Sequence, residues 1–204
     1  MLFRSDTPSK YDYACYAAAS LAHLAQSQRD RVGLATFDTS IRDFLPPGGT
    51  GLAALLHQLE TTQPAGPGAL EPAVRELMSR LRRRSIIVVL SDFYEPADRA
   101  ARALGEARAR GHDVVAVHIL HAIEKGLQVG DTSVLEDMET SEQLALIADD
   151  VRPAYQAALD QHCEELANAC RSRRVDYVAC DTSMPLANIL HRYLLERAAS
   201  KRLR

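Results

Sequence analysis

Asp92 is the residue whose position best suits chemistry. It comes two residues after five consecutive apolar residues, Ile86 to Leu90, a run that is typical of a central parallel strand buried on both faces. In open α/β sheets, ligands bind beyond the carboxyl ends of such strands. A carboxylate there could ligate a metal ion or act as a general acid or base. The alternative is that Asp92 only caps the helix that begins near Pro96, or a turn leading to it.

The other residues that could take part in catalysis give weaker evidence for an enzyme than Asp92 does. His162-Cys163-Glu164 has the H-x-E spacing of zinc deaminases, but no P-C-x-x-C follows it. His118 lies within an apolar strand and is interpreted as a core residue. No nucleophile has a base at a recognisable spacing, so we expect no enzymatic activity. The rival hypothesis is a metal-dependent hydrolase or phosphatase that uses Asp92, with Asp181 as the second acid at a strand end.

Composition and charge exclude several classes of partner. The 24 Lys and Arg residues against 27 Asp and Glu give a net charge of −3, whereas a general nucleic-acid binder needs a basic excess. No apolar run approaches the roughly 18 residues that span a bilayer, so we expect no membrane insertion of this chain. Four cysteines without metal-type spacing are typical of reduced thiols. We therefore expect a cytoplasmic location.

Hydrophobic periodicity predicts an α/β fold with a doubly wound, mostly parallel sheet and helices on both faces. The chain reads as a single domain, 1–204, with a small hairpin insertion at about 121–150. The predicted helices span 9–28, 51–60, 70–83, 96–110, 151–172 and 184–199, and Ser9 is the predicted cap of the first. The predicted strands span 31–37, 41–45, 85–92, 113–120 and 175–180, the first two forming an antiparallel hairpin through a short link.

Several segments, in this order and spacing, resemble the bacterial domain-of-unknown-function-58 proteins, which are similar to von Willebrand factor A domains. The resemblance covers nearly the whole chain and implies a von Willebrand factor A-like fold. It also implies a non-enzymatic protein–protein interaction role with a MoxR-type AAA+ ATPase, in assembly or maturation of protein complexes. The matching segments are Ser9-Lys10-Tyr11-Asp12-Tyr13-Ala14, Asp30-Arg31-Val32-Gly33-Leu34 with Phe37, Arg83 to Phe93, Gly111 to His118, Leu135 to Thr140 and Tyr193 to Arg197.

The same resemblance bears on metal binding. A von Willebrand factor A domain holds Mg²⁺ through an Asp-x-Ser-x-Ser loop, a Thr and an Asp, all hard oxygen donors. Only the last matches here, at Asp92, while Gly68 aligns with the Thr and the Asp-x-Ser-x-Ser loop is absent. Asp92 is therefore expected to be the remnant of a metal-ion-dependent adhesion site, with weak or no binding. No cofactor is expected, and Mg²⁺ becomes possible only if an upstream Asp-x-Ser-x-Ser exists.

The resemblance also predicts that the first, central strand is missing from this chain, because Met1 aligns with a methionine that follows that strand in the family. Such a loss would leave two unpaired strand edges in mid-sheet, which favour self-association. The expected partner face consists of residues 91–93 and 48–51, with the insertion as a second surface.

Overall fold

The computed structural model describes residues 9–49, 51–64, 68–121, 124, 133–136, 143–146, 148–183, 185–187 and 190–191. Its helices and strands alternate much as the hydrophobic pattern predicts. In chain order they are α1 (Lys10–Ser27), β1 (Leu34–Phe37), β2 (Ile41–Leu45), α2 (Leu52–Thr61), α3 (Leu70–Arg80), β3 (Ile86–Ser91), α4 (Ala97–Ala109), β4 (Asp113–Leu120), β5 (Ser133–Glu136), β6 (Gln143–Leu146), α5 (Ala148–Ser172) and β7 (Asp176–Asp181).

A three-stranded parallel sheet in the order β3-β4-β7 forms the centre of the fold. Its middle strand, β4, is buried at every position after Asp113, as its run of apolar residues predicts. Successive side chains of a strand point to opposite faces. Val114 and Ala116 accordingly join a core with α3, α4 and α5, whereas Val115 and Val117 join a second core with α1. Helices therefore cover both faces, which confirms the predicted fold class.

The first two strands form a separate sheet. β1 and β2 pair with each other in antiparallel register, and within the described residues neither pairs with β3. The hairpin is fastened to α3 instead, where the Ile41 amide donates to Glu76 Oε2 at 2.9 Å. One edge of β1 and one edge of β3 thus have no strand partner in the described part of the chain.

Most predicted boundaries hold to within two or three residues. α3 ends at Arg80 rather than at residue 83, because Leu81 is already extended. α5 begins at Ala148, three residues before its predicted start, and contains Pro153. The expected insertion does contain an antiparallel hairpin, β5–β6. Of the predicted last helix, 184–199, residues 186–187 and 190–191 are helical, residue 185 is not, and the rest lies outside the described residues.

No helix among the described residues is long and apolar enough to cross a membrane. The side chains that could take part in chemistry lie at the carboxyl end of the central parallel sheet.

Candidate functional site

The turn after β3 holds Asp92 in a fixed position. Phe93, the next residue, has a φ of 47°, a left-handed conformation that is uncommon for a bulky residue. Its ring is buried, its amide donates to Ser91 Oγ at 3.1 Å, and its carbonyl lies 2.8 Å from His162 Nε2 on α5. Packing and hydrogen bonds on both sides therefore stabilise a backbone conformation that would be costly alone.

The start of α1 lies against this turn. Ser9 caps the helix, as the sequence predicts: its Oγ accepts from the Asp12 amide at 3.0 Å, and its own amide donates to Asp12 Oδ2 at 3.1 Å. This reciprocal capping box satisfies two amides of the first turn. It also fixes the orientation of Lys10, the first residue of the helix, whose side chain points into the site and is only 2% exposed.

The Lys10 ammonium lies among three oxygen atoms. Its Nζ donates to Glu124 Oε1 at 2.6 Å and to the Tyr94 hydroxyl at 2.9 Å, and it lies 3.3 Å from Asp92 Oδ2. The same nitrogen lies 4.3 Å from the centroid of the Tyr94 ring, within cation–π range. Lysine is rarely buried unless it is paired, and here it is paired with two carboxylates. We call Lys10, Asp92, Tyr94 and Glu124 the lysine cluster.

Glu124 brings a third segment of the chain to the lysine cluster, beside the start of α1 and the turn after β3. Its Oε2 accepts from the His121 amide at 3.0 Å, just beyond the end of β4. Its Oε1 also accepts from the Tyr94 hydroxyl at 2.6 Å. Desolvation of that hydroxyl and the adjacent Glu124 carboxylate raise the pKa of Tyr94 well above its usual range. The hydroxyl therefore stays protonated at neutral pH and acts as a donor.

A layer of buried rings supports the cluster from beneath. His118 on β4 is 1% exposed, and its Nδ1 lies 2.7 Å from the Tyr177 hydroxyl. Its ring meets Phe93 edge-on, with centroids 5.7 Å apart. Burial, followed by the nearby His162, lowers the pKa of His118 to about 4. His118 is therefore neutral at physiological pH, in agreement with its interpretation as a core residue.

The cluster does not suit a divalent metal ion. Mg²⁺ needs close to six oxygen ligands at about 2.0–2.1 Å, whereas Asp92 and Glu124 already hold an ammonium group. Two unit charges about 4 Å apart interact by about 4 kcal/mol at an effective dielectric of roughly 20, so a divalent ion beside Lys10 would meet about twice that repulsion. Among the described residues, no group of three or more His, Cys, Asp or Glu side chains could hold a metal ion.

The other residues aligned with metal chemistry do not supply the missing ligands. Gly68 has no side-chain oxygen, and a Cβ at this position would meet no atom within 4 Å. Asp181 ends β7, two strands from β3, hence roughly 10 Å across the sheet at about 4.8 Å per strand. Its Oδ1 accepts from both the amide and the hydroxyl of Ser183, at 2.9 and 2.8 Å. Asp181 is therefore a turn-forming residue in this structure.

Gly48 and Gly49, the described start of the glycine-rich loop, lie far from Asp92. The Gly48 amide donates to Val32, before the start of β1, and Gly48 lines a cleft with Gln26 near the end of α1. Lys10 lies about 24 Å from Gln26, at 1.5 Å per helical residue. The expected partner face of residues 91–93 and 48–51 is therefore not one surface.

The sequence itself places the protein in a family. The family model described as "Protein of unknown function DUF58" matches residues 1–165. The chain belongs to the DUF58 family. This confirms the resemblance seen in the motifs. No curated protein matches this DUF58 chain.

Two solved structures share its fold at low sequence identity. BatB of Bacteroides thetaiotaomicron, a conserved hypothetical protein, has a TM-score of 0.52 and 16% identity, over 85% of this chain and 81% of that one. An aerotolerance-related membrane protein of Bacteroides fragilis NCTC 9343, solved with multiple mutations to serines, has a TM-score of 0.56 and 15% identity, over 90% and 88% of the two chains. At this identity the similarity shows the fold alone.

Sequence reasoning found Asp92 but missed its partners. The contact between Lys10 and Glu124 spans 114 positions, and no local pattern encodes it. One signal was available, since the chain has 21 arginines but only three lysines. Lysine in the first turn of a helix also opposes the helix dipole. Together these features indicate that Lys10 has a specific partner.

Proposed function

We propose that this DUF58 chain is a non-enzymatic protein–protein interaction module whose partner face surrounds Tyr94, at the carboxyl end of the parallel sheet. The observation that carries the proposal is the exposed and immobilised ring of Tyr94. This side chain is 60% exposed, yet its hydroxyl is fixed by Lys10 and Glu124. Exposed aromatic rings are enriched at protein interfaces.

Immobilisation is what separates Tyr94 from an ordinary surface tyrosine. A side chain ordered before binding loses less conformational entropy when a partner covers it. Its ring offers a broad apolar contact, while its polar end is already hydrogen-bonded. The left-handed turn at Phe93 fixes the backbone beneath it. Tyr94 therefore suits an anchoring residue in a pocket of a partner protein.

A MoxR-type AAA+ ATPase is the partner that we propose, with assembly or maturation of protein complexes as the process. The support is the family resemblance. We further propose a cytoplasmic location, since none of the four cysteines, all in the described part of the chain, forms a disulfide.

The test measures binding of a MoxR-type ATPase from the same genome to immobilised chain. Tyr94→Ser should weaken binding by about tenfold or more, as expected for an anchor worth about 1.4 kcal/mol. Tyr16→Ser is the matched control, because Tyr16 is also 60% exposed but lies midway along α1. Equal effects of the two substitutions would contradict the proposed face, and no binding by the unmodified chain would contradict the proposed partner.

The hydrolase hypothesis requires Asp92 as a nucleophile or metal anchor. The ion pair with Lys10 works against both roles, because it engages the carboxylate with an ammonium group. A phosphatase and esterase screen of the purified chain, with and without Mg²⁺, should therefore detect no turnover. Turnover abolished by Asp92→Asn would contradict the interaction module and favour the hydrolase.

A further inference from the structure

We propose that Lys10 is a built-in cation: its ammonium group takes the position beside Asp92 and Glu124 that a divalent ion would need, and makes this end of the sheet independent of metal. The inference goes beyond the proposed function. It concerns what neutralises the acidic groups at the end of β3, whichever partner binds there.

The contacts of Lys10 are those of a coordinated cation. Its nitrogen has three oxygen neighbours on two chain segments: Asp92 and Tyr94 after β3, and Glu124 after β4. The Asp92 and Glu124 side chains are 14% and 10% exposed, so bulk water does little to screen them. Two buried carboxylates so close to one position need a cation between them, and the ammonium supplies it.

Lysine suits this role better than arginine. An ammonium is a compact point charge on a flexible stem, whereas a guanidinium is a planar fork that favours bidentate pairing. The chain otherwise uses arginine for almost all of its positive charge, with 21 arginines and three lysines. Lys10 is also part of α1, so this cation is covalently attached to the chain. Assembly of the cluster therefore needs no ion from solution.

Isothermal titration with Mn²⁺ tests the inference on the purified chain. The unmodified protein should show no submillimolar binding. Lys10→Ala removes the ammonium and leaves space near both carboxylates, so Mn²⁺ affinity should rise by about tenfold or more. Lys10→Ala/Asp92→Asn is the matched control and should lose this gain. Submillimolar binding by the unmodified protein that Asp92→Ala abolishes would overturn the proposal, as would a folded Lys10→Ala variant with no gain.

Amine labelling of the unmodified protein keeps the proposal falsifiable if Lys10→Ala fails to fold. A lysine-acetylating reagent, followed by mass spectrometry, reports the accessibility of Lys10. The buried ion-paired amine should react slowly in the native chain and rapidly after denaturation, and millimolar Mn²⁺ should not change the native rate. Faster labelling of Lys10 on addition of Mn²⁺ would show that metal displaces the ammonium, and would contradict the inference.

Discussion

Replacing Lys10 by methionine should destabilise the fold more than the loss of any exposed ion pair. Methionine retains the apolar stem but removes the charge, which leaves Asp92 and Glu124 buried without their ammonium partner. Breaking a buried pair in this way costs about 3–5 kcal/mol. Loss of the cation–π contact with Tyr94 adds about 1 kcal/mol. Such a loss approaches the whole stability of a marginal domain, about 5–15 kcal/mol.

Urea-induced unfolding followed by circular dichroism measures this cost. Arg102→Met is the matched control, because the Arg102–Asp98 pair is exposed on both sides, at 68% and 60%, and should contribute less than about 1 kcal/mol. Lys10→Met/Glu124→Gln should recover part of the loss, with a coupling energy of about 0.5–3 kcal/mol. If Lys10→Met costs no more than Arg102→Met, the lysine cluster does not stabilise the fold and the reasoning fails.

Three further predictions concern other parts of the chain. Burial lowers the pKa of folded His118 to about 4, below the 6.5 of an unfolded histidine. Between these two values the unfolded chain binds a proton that the folded chain does not, so the free energy of unfolding decreases as the pH is lowered from about 6.5 to about 4. The loss between pH 7 and pH 5 should be about 2 kcal/mol greater than in His118→Gln, measured by urea unfolding. Gly33→Ala should lower the free energy of unfolding by about 1–3 kcal/mol, since the new Cβ would lie 2.7 Å from the Leu45 carbonyl oxygen. An unchanged midpoint of urea unfolding would contradict that close approach. Ile86→Lys should reduce self-association, measured by analytical ultracentrifugation. Ile86 is 55% exposed on β3, and the outer edge of β3 lacks a strand partner within the described residues. Unchanged association would show that this edge is not the surface through which the chain associates.

The central strands were predictable because burial on both faces leaves a direct signature in sequence. The apolar runs of β3 and β4 fixed their type and near-exact bounds, and the capping residue Ser9 was found from its type and position. The end of α3 was less clear, since arginines 82–84 are compatible with a helix. Hydrophobic periodicity carries no information about where exposed residues leave a helix.

The composition of the site was not predictable from local patterns. Glu124 follows β4 in a segment without clear periodicity, and its contact with Lys10 depends on the parallel order of β3 and β4. The loop at 48–51 was placed at the wrong end for a related reason. β1 and β2 are antiparallel, so a segment that follows β2 returns to the end at which β1 begins. Such placements depend on strand direction, which composition does not show.

A crystal structure determined after soaking in Mn²⁺, with anomalous diffraction data, would show directly which cation lies beside Asp92. We expect no anomalous peak at Asp92, and the Lys10 ammonium within hydrogen-bonding distance of Glu124 and the Tyr94 hydroxyl. An Mn²⁺ ion bound to the Asp92 carboxylate, with Lys10 turned away from the site, would contradict this expectation.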